Sequence, residues 1–398
     1  MHLSQKCSEH FTQDFEVFLQ SFATENGLDS KDALLSDRHL HRSILPHIKR
    51  LSDHFNKLNE IEFKSTYWKD ASSSEHFRTS YLISYHLFNT IRLTAIYEEL
   101  FRLGWQPPEK KIKLLELGAG FGPALSAMSL MPGFLNHSVD AALVEADSKV
   151  LHLANLWNDA FFKWNQFHPP RIRLFSRKIA PPRLLPSNAP RFDIATLSFF
   201  MNELHEHWNH EMLSQGLLQL LKHHLNQKGL LMIVEPALKD TSRNLLELRK
   251  QLLKVIESKK LPYQILLPCL GHQRCGALAK KDDWCHEEVL WWRPEYIRKI
   301  DSKLKLDHKR LPFSYLILCK SDQPIHKILT QLQPGKTYRQ VSPCYSPGGK
   351  TKEFYLCGDF GKQKVRPMNQ ATTERGAVFQ KVKLEPKGSF FKMRPDDS

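Results

Sequence analysis

Short apolar runs alternate with longer amphipathic stretches in the middle of the chain. Short apolar runs bounded by turns are typical of buried strands, and apolar residues spaced three and four apart are typical of helices. The predicted strands cover 113–117, 141–145, 171–175, 192–198, 230–235, 263–267 and 313–318. The predicted helices cover 123–131, 149–164, 211–225 and 242–257. This alternation predicts an α/β domain with a parallel sheet and crossover helices.

A helical segment precedes the sheet. Apolar residues recur at helical spacing through 74–103, and Gly104 followed by Pro107 and Pro108 gives a stop signal. We therefore predict a helical domain at the N-terminus and a core that is interrupted by an insertion. The predicted boundaries are 1–108 for the helical domain, 109–267 for the core, 268–312 for a cysteine-rich insertion, 313–320 for the last core strand and 321–398 for a basic C-terminal extension.

The charge of the 398-residue chain is strongly positive. Lys and Arg number 57 against 42 Asp and Glu, which gives a formal net charge of +15. The apolar fraction of 41% excludes wholesale disorder, and no apolar run is long enough to span a membrane. The first residues fit neither a secretory signal nor a transit peptide, so we expect a soluble intracellular protein. The excess charge predicts a polyanionic partner such as nucleic acid, with a merely solvated basic surface as the alternative. Part of it lies in 362–398, which has nine basic and four acidic residues.

A glycine-rich turn follows the first predicted strand. The acidic residue Glu116 precedes glycines at every second position, namely Gly118, Gly120 and Gly122. This spacing matches neither the dinucleotide-binding fingerprint nor a phosphate-binding lysine loop. It resembles the S-adenosylmethionine motif of class I methyltransferases. In that family the turn faces the methionine part of the cofactor, and the preceding acid orders the loop.

A second acidic position is expected at the end of the next strand, where it would bind the ribose hydroxyls. Glu145 is our choice because it directly follows the apolar run. Asp147 is the alternative, although it could instead cap the next helix. The third expected element is a polar residue at the start of the fourth strand, and Asp193 fits it.

The catalytic half of the site is not readable from a motif. After the fourth strand, the chain lacks the Asn/Asp-Pro-Pro-Tyr/Phe motif of amino-methyltransferases. Asn202 and Glu203 are the candidates for contacts with substrate or cofactor. They could equally be an N-cap and a first-turn acid of the following helix. Pro268 and Cys269 resemble the nucleophile of cytosine-C5 enzymes only superficially, since they lie in the insertion.

Six of the seven cysteines lie in the last third of the chain, and three are crowded into the insertion. An odd number in an intracellular chain argues against a disulfide framework. The wide, uneven spacing favours an iron–sulfur cluster over zinc, and free thiols are the remaining alternative. His272 and His286 stand beside cysteines and are possible zinc ligands. Three further histidines are interpreted as a polar helix face, namely His205, His207 and His210.

Together these motifs resemble the methyltransferase-like proteins of the mitochondrial small ribosomal subunit and their bacterial homologues. The matching runs are Leu-Glu-Leu-Gly-Ala-Gly-Phe-Gly-Pro (115–123), Asn-Glu-Leu (202–204), Val-Glu-Pro (234–236), Leu-Glu-Leu-Arg-Lys-Gln-Leu (246–252), Pro-Cys (268–269), Asp-Trp-Cys-His (283–286), Phe-Ser-Tyr-Leu (313–316) and Leu-Cys-Gly-Asp (356–359). The resemblance implies a Rossmann-like class I methyltransferase fold with a seven-stranded sheet. It also implies a [4Fe–4S] site with four ligands, Cys269, Cys275, Cys285 and Cys357. Cys319 then belongs to the core and Cys344 to a loop.

The resemblance also implies a partner, the rRNA of the small ribosomal subunit during assembly. Two functions follow as expectations. The first is an S-adenosylmethionine-dependent methyltransferase-like protein that acts on or near rRNA, and the second is a non-catalytic RNA-binding assembly factor. A third reading is a small-molecule methyltransferase with a zinc-bound cap. We expect a monomer without membrane association, in the cytoplasm of a bacterium or in the mitochondrial matrix if the source is eukaryotic.

Overall fold

The computed structural model describes most of the chain. It covers residues 1, 3, 13–28, 33–56, 75–107, 110–179, 183–271, 274–347, 349, 351–367 and 373–395, with backbone alone at 13 and 54–56. Cys7 and His272 lie outside the described residues, so the interpretation of His272 as a zinc ligand has no structural counterpart here.

A mixed sheet forms the centre of the molecule. Its strands are β1 (Lys111–Leu117), β2 (Ser138–Glu145), β3 (Arg171–Ser176), β4 (Phe192–Ser198), β5 (Leu225–Pro236), β6 (Tyr263–Leu267), β7 (Glu287–Leu290) and β8 (Arg310–Lys320). The order is β3-β2-β1-β4-β5-β8-β6, and β7 pairs with the first half of β8. β1 to β5 are parallel, whereas β8 runs antiparallel to its neighbours. The α/β prediction is confirmed.

The sheet contains one strand more than the predicted seven. The additional strand is β7, which the insertion supplies, so the insertion extends the sheet instead of forming a separate loop. Its pattern was not recognised because it has only four residues, two of them glutamates. The remaining strand bounds agree with the predictions to within a few residues.

Helices cover both faces of the sheet. They are α1 (Gln13–Glu25), α2 (Asp37–His39), α3 (Leu45–Asn56), α4 (Glu75–Tyr81), α5 (Leu87–Arg102), α6 (Pro123–Ser129), α7 (Ser148–Trp164), α8 (Met201–His205), α9 (His210–Gln219), α10 (Lys239–Ser258), α11 (Glu295–Leu304) and α12 (Ile325–Ile328). π-helical turns cover Leu40–Ile44, Leu82–His86 and Leu220–His224, and a 3-10 turn covers Pro132–Phe134. Among the described residues, no helix is long and apolar enough to cross a membrane.

The core has two layers because successive strand residues point to opposite faces. Leu114 and Ile194 pack on one face, against the N-terminal helices and α5, α6, α7 and α11. Leu115 and Ala195 pack on the other face, against α9 and α10. The N-terminal helices are therefore continuous with the core of the sheet.

The C-terminal extension is a second sheet. Its six strands are β9 (Thr337–Gln340), β10 (Phe354–Gly358), β11 (Gly361–Pro367), β12 (Val378–Gln380), β13 (Val382–Lys387) and β14 (Phe390–Pro395). The hydrophobic pattern did not predict these strands because they are short and rich in charged residues. A small apolar cluster around Phe354, Leu356 and Val365 holds the sheet together.

One buried arginine of the second sheet joins four regions of the chain. Arg339 is 1% exposed. Its guanidinium donates to Glu99 of α5 at 2.8 Å, to Glu287 of β7 at 3.1 Å and to the Tyr315 hydroxyl of β8 at 3.2 Å. The helical region, the insertion, the last core strand and the C-terminal sheet thus meet at a single charged group.

Candidate functional site

The glycine turn connects β1 to α6 through three residues with positive φ. Gly118, Gly120 and Gly122 have φ of 63°, 51° and 76°. A Cβ at Gly118 would lie 2.3 Å from Cγ of Phe200, so this glycine is required by packing against that ring. A Cβ at Gly120 would meet no atom within 4 Å, and Gly120 lines a cavity. The two glycines therefore serve different purposes, close packing at Gly118 and open backbone at Gly120.

Glu116 stabilises the glycine turn through contacts with the start of α6. Its carboxylate accepts hydrogen bonds from the backbone N–H groups of Ala124 at 3.0 Å and Leu125 at 2.8 Å, at the start of α6. Burial raises the pKa of Glu116 to about 8, while the two N–H groups lower it. Neither Glu116 nor Gly122 is among the residues that line the cavity. Both support the turn indirectly.

Glu145 lies at the end of β2 and lines the cavity. Its carboxylate accepts hydrogen bonds from the backbone N–H groups of Gly120 at 3.0 Å and Ala146 at 2.7 Å. Asp147 caps α7 by accepting from Lys149 N–H at 2.8 Å, as its alternative role predicted, and it also lines the cavity. The structure thus brings the glycine turn and the predicted ribose acid together.

Asp193 lies outside the cavity. It accepts hydrogen bonds from Lys113 N–H at 2.8 Å and from the Asn226 side chain at 2.7 Å. Because it begins β4, it sits at the edge of the sheet opposite the carboxyl ends of the parallel strands, and it is not a lining residue of the cavity. We therefore leave Asp193 out of the cofactor site.

The cavity has a volume of about 750 Å³, within the range of small-molecule sites. Its walls come from the glycine turn, the ends of β2 and β4, the helices α4 and α5, and the insertion. The aromatic and basic lining residues include Tyr81, Tyr85, Arg92, Trp284, His286 and Arg310. Burial lowers the pKa of His286 to about 4, so its ring is neutral at pH 7.

The segment after β4 has a strained backbone. Phe199 adopts a φ of 59°, which is rare for a residue with a side chain and typical of functional sites. Its N–H donates to the Val234 carbonyl at 2.7 Å. In the amide orientation that satisfies its hydrogen bonds, Asn202 donates to the Phe199 carbonyl at 3.1 Å and to Glu235 at 3.3 Å. Asn202 therefore holds this backbone in place.

Glu203 lies in the first turn of α8, as one alternative predicted, and it also lines the cavity. Its side chain is exposed, and partial loss of hydration together with the neighbouring Glu145 and Glu206 raises the pKa of its carboxyl above the ordinary value. Asn202 does not act as an N-cap, because α8 begins at Met201 and its cap residue is Phe200.

Four of the cysteines converge at the carboxyl edge of the sheet. Cys269 follows β6, Cys275 and Cys285 belong to the insertion, and Cys357 lies on β10 of the second sheet. Burial raises the pKa of Cys357 to about 12, and the nearby thiols of Cys269 and Cys275 raise it further. Burial also raises the pKa of Cys285, whose thiol is close to the other three.

Hydrogen-bond donors surround these sulfur atoms. The guanidinium of Arg249, from α10, donates to Cys269 Sγ at 3.1 Å. Backbone N–H groups of Ala277 and Leu278 stabilise a thiolate at Cys275, and that of Gly276 does so at Cys357. Gly276 lies directly against the backbone of Lys362, with no room for a Cβ. This close contact docks the second sheet on the insertion.

Other cations fasten the Asp-Trp-Cys-His run. Lys362 forms an ion pair with Asp283 at 2.7 Å, and Arg243 donates to the Asp283 carbonyl at 2.7 Å. Arg375 donates to the His286 carbonyl at 2.9 Å. Two basic residues of the extension, Lys362 and Arg375, therefore also contribute to the fold.

Among the described residues, the remaining cysteines, Cys319 and Cys344, lie outside this group. Cys319 is fully buried on β8, opposite Leu230 at the far edge of the sheet, which agrees with its interpretation as a core residue. Cys344 lies in the loop after β9, as expected. The rings of His205 and His210 meet edge to face with their centroids 4.8 Å apart, and His207 lines the cavity. Within the described residues, no three His, Cys, Asp or Glu side chains are arranged to hold a single metal ion.

Three cavity residues were missed by the sequence analysis. The pattern through 74–103 predicts Tyr81 and Tyr85 only as apolar positions of a helix, and it assigns no role to Arg92. A tyrosine at helical spacing gives no signal that distinguishes a cavity wall from a core. The isolated arginine within the apolar part of α5 was the one available signal.

The sheet order, with a glycine turn after β1 and an acid after β2, defines a class I S-adenosylmethionine-dependent methyltransferase fold. Residues 104–386 match the family model described as mitochondrial small ribosomal subunit Rsm22. The chain belongs to the Rsm22 family, which confirms the resemblance predicted from its motifs. A search of curated proteins gives no match.

Solved structures with a similar fold are distant in sequence. A Listeria monocytogenes protein described as a class I S-adenosylmethionine-dependent methyltransferase is 13% identical, with 78% of this chain and 88% of that chain covered and a TM-score of 0.37. PKMT2 of Rickettsia typhi, in complex with AdoHcy, is 14% identical over 65% and 61% of the two chains, with a TM-score of 0.31. A methyltransferase of Pyrococcus furiosus is 12% identical over 57% and 83%, also with a TM-score of 0.31. These similarities transfer no activity.

Proposed function

We propose that this protein binds S-adenosylmethionine in the cavity and acts on or near the rRNA of the small ribosomal subunit. The observation that carries the proposal is the cavity itself, where the open backbone of Gly120 and the carboxylate of Glu145 meet. Gly118, Gly120 and Glu145 would hold the cofactor, which supplies an activated methyl group when bound. The protein acts as a monomer, in the bacterial cytoplasm or in the mitochondrial matrix.

Two basic surfaces support an RNA partner. Arg177, Lys178 and Arg310 are exposed at the lining of the cavity. On the β13–β14 hairpin, Lys383 and Lys392 are exposed and form no ion pair among the described residues. Such side chains bind phosphates without regard to sequence, so binding through them weakens as salt increases.

A non-catalytic RNA-binding factor is the second candidate. One observation favours it: Asn202, a candidate for contact with substrate or cofactor, is engaged in holding the backbone. In this alternative the cofactor or the cysteine group stabilises the fold, and no methyl group is transferred.

Titration of S-adenosylmethionine by calorimetry tests the proposal. We expect Glu145→Gln to weaken binding by roughly tenfold to a hundredfold, because a charged hydrogen-bond acceptor is lost. Asp147→Asn keeps a good helix cap and should leave binding nearly unchanged. If Asp147→Asn has the larger effect, Asp147 is the ribose acid. A wild-type protein that does not bind the cofactor would overturn the proposal.

Labelled cofactor separates the two candidate functions. Small-subunit rRNA is incubated with the protein and S-adenosylmethionine carrying a labelled methyl group, over a range of salt concentrations. Transfer of label to RNA supports the enzyme. Salt-sensitive RNA binding without transfer supports the non-catalytic factor.

We further propose that Cys269, Cys275, Cys285 and Cys357 hold a [4Fe–4S] cluster. The donor set fits, since four thiols from separate segments share one environment, with N–H donors directed at their sulfur atoms. Zinc held by the same thiols is the alternative, and the metal content of the purified protein distinguishes the two. Because Trp284 and His286 flank Cys285 and line the cavity, the cluster would fix one cavity wall.

Anaerobic purification tests the cluster. We expect a coloured protein that contains iron and sulfide, and Cys357→Ser should lose both because one of four ligands is removed. Cys319→Ser and Cys344→Ser are the controls, and both should retain the cluster. A colourless protein loaded with zinc, or a Cys357→Ser variant with full iron content, would contradict the assignment.

A further inference from the structure

Arg92 is a cation inside the cavity with an unusual set of neighbours. It lies on α5, and its side chain lines the cavity together with Asn89, Tyr81 and Tyr85. One guanidinium nitrogen donates to the Asn89 side chain at 2.8 Å. The guanidinium carbon lies 5.2 Å from the centre of the Phe199 ring. The side chain is therefore fixed by a hydrogen bond and a cation–π contact.

No carboxylate neutralises this guanidinium within the part of the chain that the structure describes. Arg92 forms no ion pair with Glu145, Glu203 or any other described acid. Its Nε atom is buried and has no hydrogen-bond partner among the described residues. Burial lowers the pKa of Arg92 to about 10, and the only groups that raise it are Tyr85 and Tyr81. Since tyrosine hydroxyls are neutral at pH 7, no described residue supplies a counter-charge. A partly buried cation in this state is costly unless a ligand supplies the anion.

The position of Arg92 relates it to the glycine turn. Phe199 lies under the guanidinium, and the next residue, Phe200, packs on Gly118. Glu145, the acid assigned to the ribose, is not among the groups that shift the pKa of Arg92. The cavity therefore offers two separate groups to a ligand: the carboxylate of Glu145 for hydroxyls and the guanidinium of Arg92 for an anion. The glycine turn lines the same cavity.

We infer that Arg92, held by Asn89 and Phe199, binds the α-carboxylate of the cofactor's amino-acid part. A guanidinium offers two parallel N–H donors that match a carboxylate, which a lysine cannot reproduce. The inference rests on the proposed function, because it requires that the cavity takes S-adenosylmethionine. It adds a selectivity: the site distinguishes ligands that have the amino-acid carboxylate from those that lack it.

Two ligands test the inference by calorimetry. S-adenosylhomocysteine carries the amino-acid carboxylate, whereas 5′-methylthioadenosine keeps the adenosine and the thioether but lacks that carboxylate. We expect Arg92→Gln to weaken S-adenosylhomocysteine by roughly tenfold to a hundredfold and to leave 5′-methylthioadenosine within about twofold of the wild type. Arg92→Lys should give an intermediate loss for the first ligand. Unchanged binding of 5′-methylthioadenosine shows in addition that the variant is folded.

A matched control is Arg298→Gln, which removes an exposed arginine outside the cavity lining and should affect neither ligand. Equal binding of S-adenosylhomocysteine to the wild type and Arg92→Gln would overturn the inference while the proposed function stands. If Arg92→Gln weakens only RNA, the guanidinium serves a substrate phosphate and the inference is wrong. If the wild type binds neither ligand, the inference and the proposed cofactor fail together.

Discussion

Replacing Arg339 with methionine is expected to lower the free energy of unfolding by about 3–5 kcal/mol, because it removes the cation beside the buried Glu287 and leaves Glu99 with the exposed Arg102 alone. Glu99 is 5% exposed and Glu287 is 1% exposed, so water cannot readily replace the hydrogen bonds that Arg339 donates to them. Methionine fills similar space but supplies no charge. Denaturation by urea, followed by circular dichroism, measures the loss.

The control for this prediction is Arg102→Met. Arg102 contacts the same Glu99 carboxylate at 2.6 Å, but its side chain is 52% exposed. Exposed ion pairs contribute about 0–1 kcal/mol, so this variant should be nearly as stable as the wild type. Equal losses of unfolding free energy in Arg339→Met and Arg102→Met would show that burial does not determine how strongly the Arg339 ion pairs stabilise the protein.

The effect of Arg339→Met should also depend on pH. Burial alone raises the pKa of Glu99, but Arg339 and Arg102 lower it on balance below its ordinary value of 4.5. A carboxyl with a depressed pKa in the folded state stabilises above its unfolded pKa, and this contribution is lost as pH falls through the folded pKa. The difference between wild type and variant should therefore be largest near neutral pH and shrink below about pH 4.5.

Gly118→Ala is expected to destabilise the protein by about 2–5 kcal/mol, since it combines left-handed strain with overpacking. The added Cβ would lie 2.3 Å from the Phe200 ring, at a φ of 63°. The ring would have to move, and its neighbour Phe199 would lose the hydrogen-bonded position that shapes the cavity. Thermal and chemical denaturation measure the loss of stability.

Two variants separate the causes of this loss. Gly120→Ala has a similar φ of 51° but open space, so it should cost only the strain, about 1–2 kcal/mol. When Phe200 is also replaced by alanine, Gly118→Ala should lower the free energy of unfolding by less than it does in the presence of the Phe200 ring. If Gly118→Ala and Gly120→Ala are equally stable, contact with Phe200 is not the reason why position 118 requires glycine.

The sequence predicted the central sheet well because its strands are apolar and its turns carry glycine and proline. Glu145 and the glycines could be placed because strand ends are local features. Asp193 was misplaced in the cofactor site because polarity at a strand start does not reveal which edge of the sheet faces the ligand. The structure assigns that residue to backbone and Asn226 contacts instead.

Features that depend on long-range contacts could not be predicted from residue patterns. Cys357 was assigned from the family resemblance alone, and its proximity to Cys285 arises from the docking of a sheet whose strands the pattern did not show. Arg92 lies among mainly apolar residues and Arg339 in a polar stretch, and neither belongs to a motif that indicates its role. Only the fold distinguishes a cation with two carboxylate partners from one that lines a cavity without any.

The Arg339 network also constrains the order in which the chain can mature on the ribosome. Glu99 and Arg339 are separated by 240 residues, so α5 is synthesised long before the residue that neutralises its carboxylate. Domains generally fold as units, from the N-terminus, during synthesis. Until β9 emerges, Glu99 has only Arg102 as a partner, and Glu287 lacks the cation that it contacts in the complete fold. Docking of the second sheet is therefore the closing step of folding, and a nascent chain arrested before residue 339 should be more sensitive to proteolysis than the full chain.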